Sequence, residues 1–86
     1  MPYTYIVQCA DDTLYTGWTV DLEKRMIAHN KGIGAKYTSS RIPVVLVYWE
    51  QQESQSTAQK REASIKKLTR SQKLTLIREF TQSNIT

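Results

Sequence analysis

A single cysteine, Cys9, leaves no partner for an internal disulfide, and its place in an apolar stretch marks it as a buried structural thiol rather than a nucleophile. With only two prolines and three glycines among 86 residues, collagen-like and Pro/Gly-rich disordered chains are excluded. No apolar run approaches the roughly 20 residues of a membrane-spanning helix. The N-terminus also lacks the basic-then-apolar layout of a secretory signal. A cytoplasmic protein without a membrane anchor is the expectation. There is no internal repeat and no linker, and so short a chain cannot fill a second core. Residues 1–80 should form one domain, with 81–86 as a frayed tail.

What is present is ordinary in amount and uneven in placement. Hydrophobic residues make up 40% and charged residues 23%, enough for one modest core. The formal net charge is +4, which favours an anionic partner. Lys60, Arg61, Lys66, Lys67, Arg70, Lys73 and Arg78 crowd the last third, and Lys24, Arg25, Lys31, Lys36 and Arg41 surround the middle. On charge alone, a solvated helix face is the plainer reading. If these residues neutralise phosphates, affinity for DNA should fall steeply with salt.

The residue pattern predicts an α/β (α+β) domain in the order β-β-α-β-α-α, a small and mainly antiparallel sheet flanked by helices. Residues 3–9 (YTYIVQC) and 13–19 (TLYTGWT) read as strands joined at Ala10-Asp11-Asp12 into a hairpin. Thr19 or Asp21 can cap a helix carrying Leu22, Met26 and Ile27 inward, which should stop near Asn30-Lys31-Gly32. Residues 32–41 (GIGAKYTSSR) read as a loop ended by Ile42-Pro43. Residues 44–50 (VVLVYWE) are near-continuously apolar, which predicts a strand covered on both faces and central in the sheet. Two capping boxes, Ser56 with Gln59 and Thr69 with Gln72, open two further helices. The first should turn Ala58, Ile65 and Leu68 inward, and the second Leu74, Ile77 and Phe80.

Read together, the hairpin and the helices carry a recognisable series of motifs. Tyr3-Thr4-Tyr5 lies on the first strand and Tyr15-Thr16-Gly17 on the second. Asp21-Leu22-Glu23-Lys24-Arg25 then leads to His29-Asn30, and Arg61-Glu62 follows on a later helix. This order resembles the GIY-YIG endonuclease superfamily, above all its small stand-alone single-domain subgroup, in which LYTG, AHN, GAKYT and a REASIKKL-type run recur. Each motif alone is weak; five in order are specific. The resemblance implies an endonuclease that cleaves DNA phosphodiesters with a divalent metal, Mg²⁺ or Mn²⁺. It assigns Tyr5 and Tyr15 to the two motif tyrosines, Arg25 to the family arginine, Glu62 to the metal-binding glutamate and Gly17 to the motif glycine. Tyr3 replaces the usual glycine of the first motif, and Thr4 and Thr16 replace its isoleucines. By analogy, the substrate would be branched, flapped or damaged DNA, cut with low sequence preference in repair or recombination.

The chemistry of these residues agrees. One carboxylate such as Glu62 can hold Mg²⁺ when water and phosphate supply the other oxygens. Arg25 can donate two hydrogen bonds to a phosphate. A phenol is an ordinary base only near pH 10, roughly, so Tyr5 would need help to activate water. His29, four residues after Arg25, shares its helix face and could shuttle a proton. Lys36 and Tyr37, beside Thr38 in the GAKYT segment, and Lys66 and Lys67 could contact nucleic acid. The plain alternatives are ordinary strand tyrosines, exposed helical charges, and Glu62 paired with Lys66 at helical spacing. Two other functions also compete: a non-catalytic nucleic-acid-binding module, and an adaptor for a protein partner.

One geometric condition separates these readings. A two-residue loop at Asp11-Asp12 pairs Gln8 with Tyr15 and sends the two tyrosines to opposite faces. A three-residue loop at Ala10-Asp11-Asp12 pairs Val7 with Tyr15 and puts both on one face. The nuclease reading predicts such an odd-length loop, or a bulge.

Overall fold

The structure is a computed structural model that describes residues 1–83. Its elements run β1 (Tyr3–Gln8), β2 (Leu14–Thr19), α1 (Leu22–Asn30), α2 (Lys36–Ser39), β3 (Val45–Gln51), α3 (Gln55–Lys66) and α4 (Arg70–Ser83). The three strands form an antiparallel sheet in the order β2-β1-β3. The α+β class and the antiparallel sheet are as expected. The order gains one short helix, α2, inside the segment read as a loop.

The hairpin turns on Asp12, whose φ of 67° places it in the left-handed region. Asp12 N donates to Cys9 O at 2.9 Å and Cys9 N to Thr13 O at 2.8 Å, so Ala10-Asp11-Asp12 closes as a three-residue loop. Val7 therefore pairs with Tyr15, and Tyr5 with Gly17. Because side chains alternate, odd-numbered residues of both strands share one face.

Two apolar clusters fill the two faces. Tyr5, Val7, Cys9 and Val44 pack with Tyr15, Leu22, Met26 and Leu46 on the face covered by α1. Ile6, Tyr48 and Ile65 pack with Leu68, Leu76, Ile77 and Phe80 under α3 and α4. Cys9 is buried, as its surroundings suggested.

Several expectations are corrected. β3 is an edge strand, and β1, with Tyr5, Ile6 and Val7 wholly buried, is the central one. The pairing of β3 with β1 slips between Ile6 and Val7, which face Tyr48 and Leu46, so Val47 is an extra, bulged residue. Leu46 then packs on one face, and Val47 and Tyr48 on the other, while Val45 and Trp49 stay exposed. A phase change, not double-sided burial, made that run look continuously apolar. α3 is capped by Ser54 with Thr57, and Ser56 lies inside the helix. Leu74 and Ile27 are exposed; Leu76 takes the inward place expected of Leu74. Thr69 and Gln72 do form the reciprocal cap foreseen for α4. That helix continues through Ser83, and residues 84–86, the rest of the expected tail, lie outside the described residues. No helix among the described residues is long and apolar enough to cross a membrane.

Candidate active site

Five of the expected residues meet in one place. A concave pocket of about 250 Å³ is lined by Tyr5, Tyr15, Gly17, Trp18, Arg25 and Glu62. Tyr5, Tyr15 and Gly17 come from the odd face of the hairpin, and Arg25 from α1, which covers that face. Trp18 belongs to the even face and Glu62 to α3 on that side, so the pocket bridges the free edge of β2. The Thr4 hydroxyl donates to Ala58 O at 2.9 Å and fixes α3 along the hairpin.

Gly17 is required by contact rather than by backbone twist. A Cβ there would lie 2.7 Å from the Tyr5 hydroxyl oxygen and 2.9 Å from its ring carbon Cζ. The missing side chain is the space through which the Tyr5 phenol reaches the pocket.

Behind Tyr5 lies His29, wholly buried rather than on the surface. The Tyr5 hydroxyl is 2.8 Å from His29 Nε2, and His29 Nδ1 is 2.8 Å from the Thr38 hydroxyl oxygen. Tyr15 also meets the His29 ring edge-on, with centroids 5.7 Å apart. Asn30, the next residue, fixes the end of α1 to the start of β3 by accepting from Val44 N at 2.7 Å and donating to Val44 O at 3.2 Å.

The electrostatics follow from burial. Removal from water pushes the Tyr5 phenol well above its usual range, and the Arg25 guanidinium only partly opposes this. Burial also raises Tyr15, helped by the Glu62 carboxylate and opposed by Arg25. It lowers His29, and Arg25 adds to that shift. At neutral pH both phenols are therefore protonated and the imidazole is neutral. It is free to accept.

The remaining candidates are more peripheral. Lys66 Nζ lies 3.8 Å from Glu62 Oε1 and 6.0 Å from the Tyr15 ring centroid, at the rim. Lys36 and Lys67 are exposed, on α2 and at the end of α3. Tyr37 is stacked on Tyr15 at 5.8 Å, and the Arg41 guanidinium lies 4.0 Å from its ring centre. Arg41 is anchored in turn by Asp11 of the hairpin loop at 3.0 Å. Two residues missed by sequence reasoning are Gly34, whose carbonyl accepts from Arg25 Nη1 at 3.4 Å, and Glu50, which pairs with Arg61 Nη2 at 2.9 Å. The two glycines of GIG are the signal that could have pointed to a tight approach, although the sequence alone does not say against what.

Among the described residues, no group of three or more His, Cys, Asp or Glu could cage a metal. Glu62 is the carboxylate on the pocket wall. That donor set fits a hard, largely hydrated divalent cation and does not fit a zinc site, which takes three or four protein ligands.

Known proteins resemble this chain over most of its length. A family model described as "GIY-YIG catalytic domain" matches residues 1–75. A UPF0213 protein of Clostridium perfringens is 62% identical over 77 residues, covering 90% of this chain and 83% of its own. The solution NMR structure of a UPF0213 protein from Bacillus halodurans matches with a TM-score of 0.57 and 40% identity, over 90% of this chain and 83% of that one. A second NMR structure, of a protein from E. faecalis, matches with a TM-score of 0.61 and 41% identity, over 93% of this chain and 85% of that one.

Proposed function

The chain belongs to the GIY-YIG catalytic domain family, a nuclease family, and from that premise we propose that its pocket hydrolyses DNA phosphodiester bonds with a divalent cation. The observation that carries this reading is the convergence of two phenols, a guanidinium and a carboxylate on one pocket, with a neutral imidazole hydrogen-bonded behind one phenol.

Each residue has a task. Arg25 donates to the non-bridging phosphate oxygens and holds the phosphodiester in a fixed orientation. Tyr5 takes a proton from the attacking water as its own phenolic proton passes to His29 Nε2 at 2.8 Å. No standing phenolate is needed, which suits a phenol whose ionisation burial opposes. The new bond joins the water oxygen to phosphorus as the bond to the departing oxygen breaks; that oxygen takes up a proton from solvent, and His29 gives its proton back through Tyr5 to solvent when the product leaves. Tyr15 walls the pocket beside that phosphate. Glu62, with water and phosphate oxygens, would hold Mg²⁺ or Mn²⁺. Such a cation supplies, when bound, charge neutralisation on the phosphate and the leaving oxygen.

The substrate side is read from charge. Lys36, Lys66 and Lys67, all exposed, would contact backbone phosphates, which carry little sequence information. Low sequence preference follows, and selection would rest on substrate shape, as in branched or flapped DNA.

Labelled flapped, branched and plain duplex DNA test this directly. Nicking should require Mg²⁺ or Mn²⁺, disappear in Glu62→Ala, and fall by roughly 10²–10⁴-fold in Tyr5→Phe. Wild-type cleavage by both variants overturns these roles. Salt-sensitive binding with no metal-dependent product would leave a binding module only.

A further inference from the structure

His29 is the chain's single histidine, and both its ring nitrogens are engaged. A neutral imidazole has one N–H, so one of the two contacts is donated by the ring and the other accepted. Thr38 decides which. Its hydroxyl oxygen lies 2.8 Å from His29 Nδ1 and 3.1 Å from the backbone oxygen of Ala35. A carbonyl oxygen can only accept, so the one hydroxyl proton of Thr38 points at Ala35. The Thr38 oxygen must then accept from Nδ1–H.

We propose that Thr38 is a positioning residue that fixes the proton order of the whole site, from the Ala35 carbonyl through its own hydroxyl and the His29 ring to the Tyr5 phenol. With Nδ1 protonated, Nε2 presents a lone pair to Tyr5, and the phenol donates. In the opposite tautomer Nε2–H would point at the phenolic oxygen, and the Tyr5 proton would have no acceptor there. The proton path would be closed.

Three further observations hold this arrangement in place. His29 and Thr38 are both wholly buried, so water cannot replace Thr38 as the partner of Nδ1. Ala35 caps α2, and its carbonyl also accepts from Ser39 N at 3.1 Å, which orients it without using its second lone pair. Gly34 allows the segment to close on the ring: a Cβ there would lie 2.6 Å from His29 Nδ1 and 2.7 Å from His29 N. The GAKYT segment thus acts inward through Thr38, whatever Lys36 and Tyr37 do at the surface.

The purpose of this order rests on the hydrolytic reading, but the order itself is observable without it. Long-range ¹H–¹⁵N correlation on the lone imidazole, recorded above its titration, reports which nitrogen carries the proton. We expect Nδ1–H in the wild type and in Thr38→Ser. Thr38→Val keeps the shape but removes the acceptor, and should move the ring to Nε2–H or to a mixture. Nicking by Thr38→Val should drop by about 10²–10⁴-fold in kcat with KM little changed, the cost of an imidazole held in the wrong tautomer, and Thr38→Ser should recover most of it. An Nε2–H ring in the wild type, or Nδ1–H unchanged in folded Thr38→Val, overturns the proposal. If the tautomer follows Thr38 while no variant nicks DNA, the hydrolytic reading falls and the proton order stands. Nicking by a wild type that carries Nε2–H does the reverse.

Discussion

Tyr5 and Gly17 pair across the β1–β2 ladder, and the Tyr5 hydroxyl oxygen lies 2.7 Å from the point that a Cβ on Gly17 would occupy. Replacing a strand glycine by alanine normally gains about 0.5–1 kcal/mol through chain entropy. At this position that gain is opposed by a contact closer than real Cβ atoms make, against a ring that is wholly buried. Gly17→Ala should therefore lose about 1–3 kcal/mol, the usual cost of overpacking, and push the phenol off His29. Thermal unfolding and nicking should fall together. A more stable Gly17→Ala would mean that the ring has somewhere else to go.

The buried imidazole makes stability depend on pH in a defined direction. Burial, and then Arg25, lower the His29 pKa in the folded chain, whereas the unfolded ring titrates near about 6.5. As pH falls through about 6.5, the unfolded state takes up a proton that the folded state refuses, so stability drops. The loss stops below the folded pKa, where both states are protonated. Urea midpoints measured from about pH 8 down to pH 5 should decline in the wild type, and this component should be missing in His29→Gln. Equal slopes in both proteins would exclude His29 as the source.

How much of this was legible beforehand depended on whether a residue acts through local chemistry or through its neighbour in space. The hairpin register was only narrowed, because an Ala-Asp-Asp turn admits two pairings and the motif resemblance alone favoured the one that joins Val7 to Tyr15. Thr69, and Asp21 as one of two candidates with Thr19, were readable as caps because a cap is a local hydrogen bond. The place of β3 was not, since a bulge at Val47 leaves no mark in composition yet reverses the alternation. Leu74 was misassigned by the same kind of phase error on a helix, where Leu76 packs inward instead. Within the site, Tyr5, Tyr15, Gly17, Arg25 and Glu62 followed from motif order, whereas Trp18 on the same wall did not. The roles of Gly34 and Thr38 did not, because they exist only when residues 32–41 fold back on α1.

Arg61 precedes Glu62 and ties α3 to β3. Its Nε lies 3.0 Å from both carboxylate oxygens of Glu50, which also accepts from Gln52 at 3.0 Å and from the Tyr48 hydroxyl. Although burial works against it, Arg61 and Tyr48 hold the Glu50 carboxyl below its ordinary range. Both partners remain partly exposed, so Arg61→Ala should cost only about 1 kcal/mol of stability. Its larger effect should fall on the position of Glu62, read as a several-fold rise in the Mg²⁺ concentration that half-saturates nicking. Lys60→Ala, an exposed neighbour on the same helix, serves as the charge-matched control. An equal rise in both variants would trace the effect to lost charge rather than to the tie.

Thr16 sits between Tyr15 and Gly17, yet it points the other way. It pairs with Ile6 on the even face, is 2% exposed, and its hydroxyl oxygen has no hydrogen-bond partner among the described residues. A buried hydroxyl left unpaired costs about 1–3 kcal/mol. Valine has the same branched shape and an equal liking for strands, so it keeps the packing and removes the cost. Thr16→Val should gain about 1 kcal/mol, which for a domain of this length raises Tm by roughly 4–8 °C. Because the side chain faces away from both tyrosines, nicking should be unaffected. A lower Tm in Thr16→Val would reveal a buried water or other partner on that hydroxyl, and the even face would then hold a polar site beneath α3.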